Sequence, residues 1–268
     1  MMTRLLAAAV GLAVLLPAII YGGPIAVHIV AALAAVICVA EYVAMAFPDD
    51  RYPAGGWLMA CFVGWYGTAL YAPPGSTTIS MGLVALLSMI WVTLRPGDTL
   101  EGAADKTGRY LVGTLWVGLL AFLPLLRDLD DGLAWVFAVL VISWCGDTGG
   151  YFAGKYFGSH KLYPKVSPKK TWEGVGGGVA LATAGLFVVR QVALPQLSVV
   201  DVLVLGPTLC LAGVIGDLSE SMLKRAFGVK DSGWIMPGHG GLLDRIDSVL
   251  FVAPLLYAYV VWVKGLGG

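Results

Sequence analysis

Charge is what this sequence has least of. Only 13% of its 268 residues are Asp, Glu, Lys or Arg, while 58% are hydrophobic; an ordinary soluble domain carries about 25% charged residues. So few charges cannot cover a soluble surface of this size, which excludes a free water-soluble enzyme. A disordered chain is excluded too, because this much apolar area does not stay solvated as a coil. Basic and acidic residues balance at 17 each, so no excess of one sign is present to hold nucleic acid, and no nucleic-acid partner is expected. Cysteine is scarce. Cys38, Cys61, Cys145 and Cys210 lie far apart in apolar stretches with no CxxC pair, so a disulfide framework or a zinc site has no support. A GxxxxGK[ST] phosphate loop is absent, as is any internal repeat of the kind that marks an inverted-repeat transporter.

Long apolar runs are present instead. A spanning helix needs roughly 20 mostly apolar residues, and such runs fall at Leu5–Tyr21, Pro24–Phe47, Ala54–Ala72, Thr77–Leu94, Tyr110–Leu126, Gly132–Ala153, Gly174–Leu194, Val199–Leu218 and Ile246–Val263. They lack the alternation of a barrel strand, so the expected fold is all-α, a polytopic integral membrane protein of about nine transmembrane helices. The first run begins after Arg4 like a signal peptide, but no A-x-A cleavage site follows it, and it is read as a retained span. With the segment after the sixth span placed in the cytoplasm, the alternation puts 14 of the 17 Lys and Arg on that side. This is the positive-inside asymmetry, and it predicts a cytoplasmic N-terminus. The division expected is an N-terminal transmembrane region, residues 1–109, and a catalytic transmembrane region, residues 110–268, with cytoplasmic loops at 154–173 and 217–247.

Those two loops hold most of the polar chemistry. Asp217 closes the apolar run CLAGVIGD, and an ionisable group at the end of a span usually marks a functional site. If the helix continues, Glu220, Ser221 and Lys224 share its face at i+3, i+4 and i+7. Downstream, Pro237-Gly238-His239-Gly240-Gly241 cannot be regular helix, and its bare backbone can approach a ligand or form an anion nest. Asp244 and Asp247 follow, i and i+3 on one face at the same border. Three converging carboxylates repel unless a cation or proton intervenes, and hard oxygen donors without a His–Cys cluster favour Mg²⁺, which bridges carboxylates to substrate phosphates. Lys224, Arg225, Lys169 and Lys170 then suit a triphosphate and its leaving group. Asp147, in WCGDTGGYFAG, is expected to line the same polar cavity, and His239 to be a substrate donor or a general acid/base. Lys155 and Lys161 are read as anionic-lipid contacts, and His28 and His160 carry no functional assignment.

Ser221-x-x-Lys224-Arg225, Lys230-Asp231, Pro237-x-His239-Gly240-Gly241 and Asp244-Arg245-x-Asp247 resemble, in order and spacing, the signature of the phosphatidate cytidylyltransferase family. The stretches SPKKTWEG and GDTGGYFAGKYFG are similar to that family as well, and the first four spans match it only in character. Met236 stands where the family usually has Leu, Ile or Phe. The resemblance implies transfer of a cytidylyl group from CTP to phosphatidate, giving CDP-diacylglycerol and pyrophosphate; the charge asymmetry puts this at the cytoplasmic face, and the compact polytopic chain suggests a bacterial inner membrane. The resemblance also implies Mg²⁺, with K⁺ as a candidate companion, and a homodimer. Asp217 and Asp247 would be the metal ligands, with Asp244 supporting them. Ser221, Lys224 and Arg225 would contact phosphate or complete the cation site, and Lys169 and Lys170 would steady the nucleotide. Two rival readings are a CTP-using kinase of a lipid alcohol and an ion path through Asp147 and Asp217.

Overall fold

The computed structural model describes residue 13 and residues 15–72, 76–95, 100–235 and 240–266. The apolar runs form helices: α1 (Gly23–Ala46), α2 (Arg51–Tyr71), α3 (Ser76–Leu94), α4 (Leu100–Gly118), α5 (Phe122–Asp128), α6 (Gly132–Phe157), α7 (Trp172–Val192), α8 (Val199–Ala226) and α9 (Leu243–Trp262). Among the described residues, six helical stretches are long and apolar enough to cross a membrane: Gly23–Ala46, Gly102–Asp128, Gly132–Phe157, Trp172–Val192, Val199–Ala226 and Leu243–Trp262. The protein is thus an all-α, polytopic membrane protein. In α3 the apolar stretch Ile79–Leu94 is shorter, and residues 5–12 and 14 of the expected first span lie outside the described residues.

The chain divides into two compact units. One comprises residues 29–121; the other joins the residues up to His28 with those from Phe122 onward. In the first unit, α2, α3 and α4 pack around Leu58, Phe62 and Trp65, all nearly inaccessible. A polar seam runs through this packing: Trp57 Nε1 donates to Ser88 Oγ at 3.1 Å, and Ser88 Oγ donates to the Val84 carbonyl at 2.9 Å. At one end, the Arg95 guanidinium makes a two-pronged pair with Asp50 and also donates to Tyr110 Oη at 3.0 Å.

The second unit contains α5 to α9 around a core of Trp135, Ile142, Leu186, Leu209, Val252 and Leu256. Helices α6 and α7 approach backbone to backbone along glycine. A Cβ added at Gly178 would stand 2.8 Å from the Gly146 carbonyl oxygen, and one at Gly177 would stand 2.9 Å from that of Gly149. Small residues let membrane helices close this far without a hydrophobic driving force between them. Local signals also set the helix starts. Thr171 Oγ1 accepts from Gly174 N at 3.1 Å and opens α7. Ser198 and Asp201 form a reciprocal capping box at the start of α8, satisfying amides that have no partner within the helix.

The two polar segments differ from the loops expected. In 154–173, strands β1 (Lys161–Tyr163) and β2 (Ser167–Thr171) form an antiparallel hairpin, pairing Lys161 with Thr171 and Tyr163 with Ser167. In 217–247, α8 continues through Ala226 and α9 already begins at Leu243, so Asp217, Glu220, Ser221 and Lys224 are helical residues.

Candidate active site

A cavity of about 450 Å³ opens where the C-terminal half of α6, the start of α7, strand β2 and the middle of α8 meet. Its floor is glycine, from Gly146, Gly150, Gly174 and Gly178. Its polar wall is Asp147 from α6, Lys155 from the end of α6, Lys169 and Lys170 from β2, and Asp217 from α8. Tyr151 adds the aromatic ring of the lining.

The hairpin delivers the lysines. His160 N donates to both oxygens of Glu173 at 3.2 Å, His160 Nδ1 lies 2.7 Å from Glu173 Oε1, and Trp172 N donates to the His160 carbonyl at 3.0 Å. These contacts tie the hairpin base to the first turn of α7. Lys170 Nζ then reaches 2.7 Å from Asp217 Oδ2, while Ser221 Oγ donates to Asp217 Oδ1 at 3.3 Å. Lys169 is exposed at the cavity wall.

The packing of α8 on α9 sets the level of the carboxylates. Gly216 leaves no room for a side chain, since its Cβ would stand 2.6 Å from the Asp247 carbonyl oxygen. Asp217 and Asp247 are thereby held at one height. Asp247 is buried at 9% exposure, its Oδ1 accepting from Ser248 N at 2.6 Å and from Ser248 Oγ at 3.3 Å. Asp147, Asp217 and Asp247 are close enough to feel one another's charge, and the cations of Lys170 and Arg245 reach Asp147. Asp147 makes no hydrogen bond or ion pair among the described residues.

Behind this wall lies a second, drier network. Lys224, 8% exposed, pairs with Asp244 Oδ1 and lies 3.2 Å from Glu220 Oε2. Glu220 is 2% exposed, and among the described residues the Lys224 ammonium is the cation beside it. Asp244 Oδ2 accepts from Ser232 N at 2.9 Å, Ser232 Oγ at 2.8 Å and Gly241 N at 2.8 Å. Gly240 has φ +82°, in the left-handed region that glycine adopts without strain, which turns the chain so that the next amide meets Asp244.

The structure therefore brings Asp147, Asp217, Lys169 and Lys170 together at one cavity, with Ser221 and Asp247 beside them. It sets Lys224, Asp244 and Gly241 in the adjoining network. Arg225 lies on the exposed side of α8, donating to the Val229 carbonyl at 3.2 Å. His239 lies outside the described residues. Ser232 and Tyr151 join the neighbourhood without having been singled out from sequence. Glu220, read from sequence as sharing the Asp217 face, joins it without an assigned role.

Among the described residues no three His, Cys, Asp or Glu side chains form a ready-made metal cage. The donor set still fits Mg²⁺, which typically takes one or two carboxylates and completes its octahedron with water and substrate phosphate. Asp147, open to the cavity and unpartnered, and Asp217 beside it are carboxylates of that kind.

Residues 2–263 match the model of a family described as the Cytidylyltransferase family. The phosphatidate cytidylyltransferase of Bacillus subtilis is 37% identical over 191 residues, covering 70% of either chain. That of Pseudomonas aeruginosa is 40% identical over 198 residues, 69% of this chain and 71% of the relative. That of Staphylococcus aureus is 46% identical over 153 residues, 54% of this chain and 56% of the relative.

Proposed function

Because the chain belongs to the cytidylyltransferase family, we propose that it transfers the cytidylyl group of CTP to phosphatidate, giving CDP-diacylglycerol and pyrophosphate. A phosphate oxygen of phosphatidate attacks the α-phosphorus of CTP. The bond from that phosphorus to the bridging oxygen breaks, and pyrophosphate leaves. The observation that carries this reading is the Lys170–Asp217 junction at 2.7 Å, where an ammonium and a carboxylate from distant segments meet in a glycine-floored cavity at one end of the spans.

Each residue then has a task. Asp217 and Asp247, with Asp147 at the cavity wall, would hold Mg²⁺. That ion would offset charge on the α-phosphate and the departing pyrophosphate; K⁺ is the candidate companion. Lys169 and Lys170 bind triphosphate oxygens, and Ser221 orients Asp217. Two anionic substrates are drawn to one point by cations that stand beside carboxylates, so each phosphate is neutralised without covalent attachment to the enzyme. Lys224 and Asp244 act one step back. Their charges are spent on each other, on Glu220 and on the Ser232–Gly241 segment, so they place the glycine-rich segment. Phosphatidate keeps its acyl chains in the leaflet while its phosphate sits at headgroup depth, where the C-terminal half of α6 and the middle of α8 meet β2. The basic loops support a cytoplasmic placement of this end, the side from which CTP arrives, and the bacterial relatives support a bacterial inner membrane. A homodimer is the expected assembly.

The test is incorporation from CTP labelled at the α-phosphorus into chloroform-soluble product, by purified protein in detergent, with and without phosphatidate and Mg²⁺. Label that requires both is the expected result. Label entering lipid only from the γ-phosphorus would replace this reading with a lipid kinase.

A further inference from the structure

At the far end of the same helix pair lies a second cleft, of about 710 Å³, between the start of α6 and the end of α7. Its walls are apolar, from Leu133, Phe137 and Val141 on α6 and Val188 and Val192 on α7. Val188 and Val192 are 61% and 81% exposed. Its lip is charged, carrying Arg127, Asp130 and Asp131. Thirteen residues of helix separate Phe137 from Gly150 on the floor of the first cavity, on the order of 20 Å at the α-helical rise. The two openings therefore lie towards opposite ends of the α6–α7 pair.

The lip is rigid and its charges are unequally committed. Asp131 sits at φ +54°, and its Oδ2 accepts from Gln196 Nε2 at 3.1 Å. The backbone of Asp130 is pinned by Trp135, a fully buried side chain whose Nε1 donates to the Asp130 carbonyl at 3.0 Å. Asp130 itself is exposed, and its carboxylate has no partner among the described residues. Arg127 makes no hydrogen bond or ion pair among them either, and its Nε is buried without a partner. A guanidinium with its donors unspent at the head of an apolar cleft suits a phosphate ester. A free carboxylate three residues further on suits an ammonium.

We propose that this cleft is a binding site for a zwitterionic glycerophospholipid of the leaflet opposite the catalytic cavity, with its phosphate on Arg127, its headgroup amine on Asp130 and an acyl chain along Phe137, Val141, Val188 and Val192. Its occupant is an amine-bearing lipid such as phosphatidylethanolamine, and not the substrate, whose headgroup has no amine and which enters at the other end.

The experiment is native mass spectrometry of the purified full-length protein titrated with phosphatidylethanolamine and, separately, phosphatidylglycerol. Wild type is expected to retain one phosphatidylethanolamine in preference to phosphatidylglycerol. Arg127→Gln is expected to weaken retention of either lipid about tenfold, the order of one charge-assisted pair, and to leave cytidylyl transfer unchanged. Asp130→Asn, at an exposed position, is expected to abolish the preference for the amine lipid, and it decides the matter even if Arg127→Gln fails to purify. Lys170→Met, in the other cavity, is expected to leave retention intact. Unaltered retention by Arg127→Gln, an unaltered preference in Asp130→Asn, or loss of the lipid in Lys170→Met would overturn the proposal. A shift from dimer to monomer in Arg127→Gln without loss of lipid would instead make the cleft an interface between copies.

Discussion

Lys170 Nζ lies 2.7 Å from Asp217 Oδ2, so a cation from the hairpin neutralises a carboxylate in the middle of α8. The pair has two consequences for catalysis. It orients Asp217 before substrate arrives, and it places an ammonium where triphosphate oxygens must pass. Lys170→Met is therefore expected to lower turnover about 10²–10³-fold, the loss typical of one well-placed charge donor at a reacting phosphate or oxyanion. Lys170→Arg should recover part of it. Initial rates of label transfer from CTP check both, and wild-type turnover in Lys170→Met would remove the lysine from the site.

Asp217 and Asp247 make a sharper case, because Asn has nearly the same shape as Asp and lacks only the charge. Asp217→Asn and Asp247→Asn are each expected to abolish cytidylyl transfer while the protein still inserts and purifies as wild type does. In the Asp247→Asn variant the amide oxygen can still accept from Ser248, whose backbone N–H and hydroxyl hold Asp247 Oδ1, so the packing of α8 on α9 is preserved. Near-wild-type turnover by either variant, measured beside its elution profile, would exclude that residue as a cation ligand.

The buried network around Lys224 predicts a different signature. Removing the ammonium leaves Asp244 as a buried charge without its cation, a loss of about 3–5 kcal/mol, so Lys224→Met should show a large fall in Tm along with its loss of activity. Ser232→Ala removes one hydroxyl from Asp244 and keeps the Ser232 amide, a change of about 1 kcal/mol. It should lower kcat/KM modestly, and Ser232→Thr should restore it. Thermal unfolding in detergent beside CTP kinetics separates the cases: full stability with lost CTP affinity in Lys224→Met would mean that Lys224 contacts phosphate directly.

Where the sequence was legible, the pattern was local. Apolar runs bounded by Gly, Pro and charge mark α6, α7 and α9 to within a few residues and α8 at its start, whereas the end of α8, expected at Leu218, lies at Ala226; the spacing of Asp217, Glu220, Ser221 and Lys224 places them on one face once the helix is allowed to continue. The hairpin at 161–171 was not legible, because its strands are polar and short and their pairing depends on packing against α7 through His160 and Glu173. The pairing of Lys224 with Asp244 was not legible either, because Asp244 stands 20 residues away and no local pattern reveals that the two meet in a buried place. Ser232 was invisible for the same reason. Charge alone does not tell a cation that faces a cavity from one spent inside the protein.

Glycine separates packing from propensity in α7. Gly178 faces the Gly146 carbonyl, and a Cβ there would stand 2.8 Å from a backbone oxygen, whereas a Cβ at Gly176 meets nothing within 4 Å. Gly178→Ala must push α6 and α7 apart, a cost of about 1–3 kcal/mol for overpacking. Gly146 and Gly178 both floor the catalytic cavity, so turnover should fall with Tm. Gly176→Ala should gain up to about 1 kcal/mol of helix propensity and leave turnover unchanged. The pair of variants, compared by Tm and by label transfer, isolates helix approach as the cause. Equal tolerance of both would mean that the glycine seam does not set the cavity's width.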